Sequence, residues 1–137
     1  MQSGYSGTAL VKKLGIKDTH KVKLVNTPEA YFEWLGYDIR QQLCKKNELP
    51  DFVHLFAKDK TTFETGLRKI LTQIKPKTMI WVSWYNKSCG LSTDLNEDTI
   101  RNHALQNNLV DIKVCAVTEQ WSGLKLMVPI AKRNLFG

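Results

Sequence analysis

The side chains with the greatest chemical reactivity stand in polar segments that follow apolar runs. Cys89 lies two residues after Lys87, and a neighbouring ammonium group lowers the pKa of a thiol and makes it more nucleophilic. Lys87, Asp94 and Glu119 are also possible acid or base groups. No histidine or aspartate stands at a spacing that would assist the thiol. We therefore take binding as the leading hypothesis. The alternative is an enzyme of unknown reaction that uses Lys87, Asp94, Glu119 or Cys89.

Neither a metal nor a cofactor is predicted. His20, His54 and His103 lack the H-x-x-x-H and H-E-x-x-H spacings of zinc sites, and His54 between apolar neighbours is typical of a hydrogen-bonded core histidine. The turn at residues 26–30, after the first predicted strand, has no glycine and includes Pro28. Dinucleotide and S-adenosylmethionine sites use glycine there to bring the backbone close to the ligand. The P-loop pattern is also missing.

Aromatic and polar side chains gather where the predicted strands end. A tryptophan at a strand end (Trp84) or in a hairpin loop (Trp121) can line a pocket for a flat or cationic ligand; alternatively, Trp121 folds back over the core. Ligands of α/β sheets bind outside the carboxyl ends of the strands. The residues predicted to bind a small molecule or a protein partner are Asn26, Trp84, Lys87, Thr93, Asp94, Glu119, Trp121 and Lys125.

Length and composition predict one domain over residues 1–137. The chain is 42% hydrophobic and 24% charged, as in ordinary globular proteins. No apolar run reaches the roughly 18 residues of a membrane span, and no signal peptide is visible, so we expect a cytoplasmic protein without a membrane partner. Three widely spaced cysteines predict free thiols. The net charge of +7 is compatible with nucleic-acid binding, but the basic residues are spread along the chain.

The apolar patterning predicts five strands and four helices. Strands that are apolar on both faces and alternate with helices indicate a parallel sheet between two helix layers. The five residues 119–123 are too short for a parallel return, so the last two strands form an antiparallel hairpin. We therefore predict a three-layer, Rossmann-like α/β fold. The predicted strands are 21–26, 51–57, 79–85, 111–118 and 124–130; the predicted helices are 9–14, 28–36, 62–75 and 95–105, with caps at 6–8 and at Thr27, Thr61 and Asp94.

The chain resembles the bacterial family known as domain of unknown function 3052 over nearly its whole length. The resemblance implies a coherent fold but no activity, because that family has none assigned. Tyr85 and Asn86 stand where the family would have a proline. The segments that carry it are Tyr5–Thr8, Lys12–Ile16, Asn26 with Pro28, Val53–Phe56, Trp81–Trp84, Thr93–Leu95, Glu97 with Asp98, Val110 with Asp111, Lys113–Val117 and Trp121–Leu126.

A weaker likeness is to the carboxyl-terminal half of Rossmann-type methyltransferases. There, too, strands and helices alternate before a closing hairpin. This is an analogy of architecture, and architecture alone does not imply function. The glycine-free first turn suggests that any such ancestor's cofactor site has been lost.

Overall fold

A computed structural model, which describes residues 9–136, places five strands in one mixed sheet. Their spatial order is β1-β2-β3-β5-β4. The pairs β1–β2 and β2–β3 are parallel, whereas β5 is antiparallel to both β3 and β4. The predicted mixed α/β fold, parallel at its start and closed by an antiparallel hairpin, is confirmed. The strands are β1 (Val22–Val25), β2 (Phe52–Phe56), β3 (Met79–Tyr85), β4 (Val110–Ala116) and β5 (Trp121–Met127).

The helices cover both faces of this sheet. Helices α1 and α2 share one cluster of buried residues with the sheet, and α3 and α4 share the other. In the part of the chain that the structure describes, none of the helices is both long and apolar enough to span a bilayer. The α-helices are α1 (Leu10–Leu14), α2 (Tyr31–Leu35), α3 (Lys60–Leu71) and α4 (Glu97–Gln106), and short 3-10 helices span Arg40–Gln42, Lys87–Cys89 and Ile130–Leu135.

Strand β2 shows how the two cores divide. Successive side chains of a strand point to opposite faces, so Val53 and Leu55 pack towards α3 and α4, while Phe52, His54 and Phe56 pack towards α1 and α2. All five residues of the strand are buried, as the apolar run predicts for a strand covered on both faces. The alternation continues to the carboxyl ends of the strands and sets which side chains line the site on each face.

The caps of the two longer helices differ from the predicted ones. Asp59 caps α3, its carboxylate accepting a hydrogen bond from the Thr62 amide at 2.8 Å, and Thr61 lies inside the helix. Asn96 caps α4 through the Thr99 amide at 2.8 Å. Both capping residues have extended backbones, as an N-cap requires. The caps predicted at Thr61 and Asp94 are therefore wrong.

The first crossover is also built differently from its prediction. Thr27 does not cap α2, because the helix begins only at Tyr31, after a turn closed by the Tyr31 amide on the Pro28 carbonyl at 3.0 Å. Residues 38–46, whose pattern fits a helix or a strand, form the Arg40–Gln42 3-10 helix, and Leu43 makes an isolated parallel bridge to Val22. The cap predicted for α1 at residues 6–8 lies outside the described residues.

The closing hairpin is shifted relative to the prediction. Strand β5 begins at Trp121, so the loop is residues 117–120 and Trp121 opens the strand instead of standing in the loop. In the register Tyr85 pairs with Trp121 and Trp81 pairs with Lys125. Lys125 therefore lies inside the sheet, away from the carboxyl ends of the parallel strands.

Candidate functional site

Two clefts open at the edge of the sheet where β1, β2 and β3 end and the hairpin loop lies, here called the strand-end edge. The first, the aromatic cleft, has a volume of about 500 Å³, within the range of small-molecule sites. The second, the polar cleft, has about 840 Å³. The aromatic cleft is lined by Asn26, Pro28, Trp34, Phe56, Lys58, Asp59, Thr62, Tyr85, Gln120 and Trp121. The polar cleft is lined by Trp84–Lys87, Gly90–Asp98 and Ser122.

The walls of the aromatic cleft are four rings in contact. The ring centroids of Tyr85 and Trp121 lie 4.5 Å apart, and their ring planes make an angle of 35°. The Phe56 ring meets Trp121 edge-on, with 4.9 Å between the centroids. Trp34 from α2 approaches Phe56 at 6.4 Å. Such ring pairs stabilise each other beyond their buried area. The rings belong to α2, β2, β3 and β5, so the fold itself assembles the cleft.

A buried hydrogen-bonded chain holds the floor of the aromatic cleft. His54 Nδ1 lies 2.8 Å from the Tyr31 hydroxyl, and His54 Nε2 lies 2.7 Å from the Ser83 hydroxyl. The His54 ring stacks on Phe56 at 4.4 Å. Burial lowers the pKa of His54 to about 3, so the imidazole is neutral and one nitrogen donates while the other accepts. The predicted hydrogen-bonded core histidine is confirmed, and it fixes the Phe56 ring from beneath.

In the polar cleft, two of the predicted ligand-binding side chains are engaged in holding its loop. The Thr93 hydroxyl donates to the Lys58 carbonyl at 2.8 Å, and the Asp94 carboxylate accepts from the Lys60 amide at 2.7 Å. These bonds fasten the loop before α4 to the turn between β2 and α3. Asp94, predicted as a helix cap, instead joins these two segments through its carboxylate. Lys58 lines the aromatic cleft, so the bond to its carbonyl connects the two clefts.

The structure distributes the predicted binding residues over both clefts and leaves two outside. Glu119 is exposed in the hairpin loop, where its backbone carbonyl accepts from the Asn86 side-chain amide at 2.8 Å. Lys125 faces Trp81 and Lys113 on neighbouring strands, and burial together with Lys113 lowers its pKa. Asn26 and Trp121 line the aromatic cleft; Trp84, Lys87, Thr93 and Asp94 line the polar cleft.

Trp84 and Trp121, both predicted to line a pocket, are almost completely buried. Trp84 is 6% exposed and Trp121 is 5% exposed, each in a different core cluster. Of the two roles considered for Trp121, covering the core and lining a pocket, it fulfils both. The buried part of each ring packs against the sheet, and the remainder faces a cleft.

The sequence-based list lacks residues that the structure places in the aromatic cleft. Trp34 and Phe56 appear in the sequence as apolar positions of a helix and of a buried strand. Phe56 is the last residue of β2 and Tyr85 the last of β3, so the rule that sites form at strand ends could have found them. Trp34 could not be found in this way, because only the packing of α2 brings it to the cleft.

The turn after β1 has an unusual backbone for its residues. Asn26 adopts φ +57°, a left-handed conformation that asparagine tolerates better than most residues other than glycine. Its neighbour Thr27 has a buried hydroxyl that makes no hydrogen bond to any of residues 9–136. The left-handed position of this turn is therefore occupied by asparagine and not by glycine. Asn26 and Pro28 both line the aromatic cleft.

The groups considered for catalysis do not converge. Lys87 and Asp94 line the polar cleft, whereas Glu119 and Cys89 line neither cleft. The Cys89 sulfur accepts a bond from the Leu91 amide at 3.5 Å. The cysteines are free. Within residues 9–136, no three histidine, cysteine, aspartate or glutamate side chains are grouped to hold a metal ion.

Comparison with known proteins gives likenesses to solved structures alone. No family model matches the chain, and no curated protein matches it. Membership of the family of unknown function named above therefore stays a prediction. A crystal structure of the N-methyltransferase NodS from Bradyrhizobium japonicum WM9 is similar at 11% identity and a TM-score of 0.45, over 79% of this chain and 72% of that one. Neither the fold described above nor the function proposed below rests on this likeness.

Proposed function

We propose that this chain is a non-catalytic binding module of Rossmann-like architecture that takes a small organic molecule in the aromatic cleft. The observation that carries the proposal is the contact array of four rings around a cleft of about 500 Å³. Small-molecule sites are concave, mostly apolar and equipped with a few polar groups. Asn26, Asp59 and Gln120 supply such groups here.

The rigidity of the cleft supports binding. Phe56 is 1% exposed and is held from below by His54, which Tyr31 and Ser83 fix on both ring nitrogens. A site whose walls are already in place loses little conformational entropy when a ligand enters. The larger polar cleft lacks this support, because its lining is mainly the loop between β3 and α4.

The experiment is a thermal-unfolding screen against a panel of metabolites of varied charge. A ligand at one hundred times its dissociation constant adds about 2.7 kcal/mol to the free energy of unfolding. We expect at least one compound to raise the melting temperature of the wild type and to lose this effect in Trp34→Ala. Tyr37→Ala is the matched control, because Tyr37 is an exposed ring outside both clefts.

Two results would contradict the proposal. The first is a panel without any stabilising compound. The second is a compound whose effect is equal in the wild type and in Trp34→Ala, since its site would then lie elsewhere. Circular dichroism of the variant confirms that it is folded, which Trp34, half-buried on a short surface helix, should allow.

A covalent reaction in the polar cleft is the second candidate, favoured by Lys87 and Asp94 lining the same cavity. Asp94 already accepts the Lys60 amide, so one carboxylate oxygen is left to act on a substrate. If Lys87 is the acid or base group of this reaction, Lys87→Met should abolish any turnover found in a substrate screen without changing ligand binding in the aromatic cleft.

A further inference from the structure

The charge at the strand-end edge is opposite to that of the whole chain. The chain has 13 acidic and 20 basic residues, yet the segments at this edge hold six of the acidic residues and three of the lysines. Arg101, which binds Glu97 and Asp98, adds a fourth cation. Lys13 adds a fifth cation, because its ammonium group donates to the Ala116 carbonyl beside the hairpin loop. The edge thus has a formal charge of about −1 in a protein of charge +7. Its carboxylates are Glu29, Asp59, Asp94, Glu97, Asp98 and Glu119, and the lysines of these segments are Lys58, Lys60 and Lys87.

The backbone donors that an anionic ligand needs are mostly engaged or missing at this edge. At the start of α3 the Lys60 amide donates to Asp94 and the Thr62 amide donates to Asp59. Anion sites in α/β sheets use glycine-rich turns and the amides at helix N-termini. The turn after β1 has no glycine, and Pro28 removes one amide. Helix α4 begins with Glu97 and Asp98, whose carboxylates already compensate the positive end of the helix dipole.

The aromatic cleft supplies what an organic cation needs. The faces of tryptophan, tyrosine and phenylalanine rings attract a positive charge. Of the four rings that line the cleft, Phe56 and Trp121 are almost fully buried, so the half-buried Trp34 and Tyr85 supply most of the accessible ring surface. Asp59 adds a carboxylate, since the bond from the Thr62 amide holds its pKa below the ordinary value and keeps it charged. Lys58 lines the same cleft, and its positive charge partly cancels the negative charge of Asp59. The preference for cationic over anionic ligands therefore depends on the rings and on the net charge of the whole edge.

We infer that the ligand of the aromatic cleft is a substituted organic ammonium ion and not a phosphate- or carboxylate-bearing molecule. This inference rests on the proposed function, because it names the chemical class of the molecule that the cleft binds. The rings contact the alkyl groups and face the charge, while the acidic edge raises the local concentration of cations.

The test compares two probes of nearly equal shape by calorimetric titration. Choline carries a quaternary nitrogen, and 3,3-dimethylbutan-1-ol carries a neutral carbon at that position. We expect choline to bind about tenfold more tightly, in line with cation–π contacts and an acidic edge. Raising the salt concentration should weaken choline binding and leave the alcohol unaffected.

Two variants separate the sources of this preference. Trp34→Leu keeps an apolar wall but removes a ring face, so it should weaken choline at least threefold and change the alcohol little. Asp59→Asn should weaken choline twofold to fivefold. Asparagine still accepts the Thr62 amide, so α3 keeps its cap and only the charge is lost.

The inference is overturned if the alcohol binds as tightly as choline, or if the compounds that bind in a Trp34-dependent manner are neutral or anionic. In either case the proposed function stands, since the cleft still binds a ligand. Absence of binding by every compound, cationic or not, overturns both. Equal choline affinity in the wild type and in both variants would place the cation outside the aromatic cleft and also overturn the inference.

Discussion

At the scale of single residues, His54 couples the stability of this protein to pH. Its ring is fully buried, bonded through both nitrogens and stacked on the floor of the aromatic cleft. An imidazolium donates through both nitrogens and cannot accept a hydrogen bond, so protonation would reverse the bond in which His54 is the acceptor and would place a charge in the apolar core. Stability and the shape of the cleft therefore depend on the same proton.

The His54 environment predicts a loss of stability in mild acid. The unfolded chain binds a proton on this ring below the ordinary pKa of 6.5, whereas the folded chain does so only near 3. The contribution is therefore fully present above pH 6.5 and is lost as the pH falls from 6.5 towards 3. We expect the free energy of unfolding in urea to drop by about 2 kcal/mol between pH 7 and pH 5.

The controls for this prediction are two glutamine variants. His54→Gln should be less stable at pH 7 but should show a much flatter dependence between pH 7 and pH 5. His20→Gln should keep most of the slope; burial also lowers the pKa of His20, but that ring is only partly buried. If the free energy of unfolding of His54→Gln depends on pH as steeply as that of the wild type, the proton is bound by another group.

At the scale of elements, close packing between α3 and β2 predicts that a glycine resists replacement. A Cβ on Gly66 would lie 2.8 Å from a Leu55 methyl carbon, and Leu55 is fully buried. Alanine gains about 1 kcal/mol of helix propensity, but overpacking costs about 1–3 kcal/mol. Gly66→Ala should therefore lower the free energy of unfolding, and in a Leu55→Val background the added loss should shrink. Strictly additive losses would show that the two residues do not clash.

The caps of α3 give a second prediction at this scale. Asp59→Ala should cost about 1 kcal/mol in urea unfolding, because it leaves the Thr62 amide without its partner. Thr61→Ala should cost less than about 0.5 kcal/mol, because Thr61 is an exposed residue inside the helix. A larger loss of stability for Thr61→Ala than for Asp59→Ala would indicate that Thr61 caps the helix, as the sequence pattern predicts.

These elements show what the sequence reveals and what it hides. The apolar runs around His54 and Trp81 predict β2 and β3, because a strand covered on both faces has few polar positions. The caps were misplaced since each helix start offers several side chains able to accept a hydrogen bond, and only the backbone conformation selects one. The position of β5 between β3 and β4, and the meeting of Trp34 with Phe56, arise from contacts between distant segments that no local pattern encodes.

At the scale of the whole molecule, charge is distributed unevenly. The strand-end edge is acidic, so the excess of basic residues lies elsewhere. Some of these cations are paired at the opposite edge, where Lys21 contacts Glu48 at 3.4 Å and Lys75 contacts Asp51. A polyanion attracted by the net charge of +7 is thus directed away from the aromatic cleft.

This distribution predicts how the protein binds heparin, used here as a simple polyanion. Heparin should bind weakly, and its affinity should fall steeply as the salt concentration rises. The reason is that binding consists of contacts between lysine or arginine side chains and the negatively charged groups of heparin. Trp34→Ala should leave the heparin affinity unchanged. A heparin affinity that depends on Trp34 would mean that polyanions enter the aromatic cleft, and would favour the nucleic-acid hypothesis over a small organic ligand.

Tyr85 belongs to the lining of both clefts. A molecule that binds in one cleft and shifts the Tyr85 side chain changes the binding free energy of a second molecule in the other cleft. Thermodynamic linkage makes such an effect reciprocal. Two compounds that occupy the two cavities together would then influence each other's affinity by the same factor, so a titration with one should be repeated in the presence of the other.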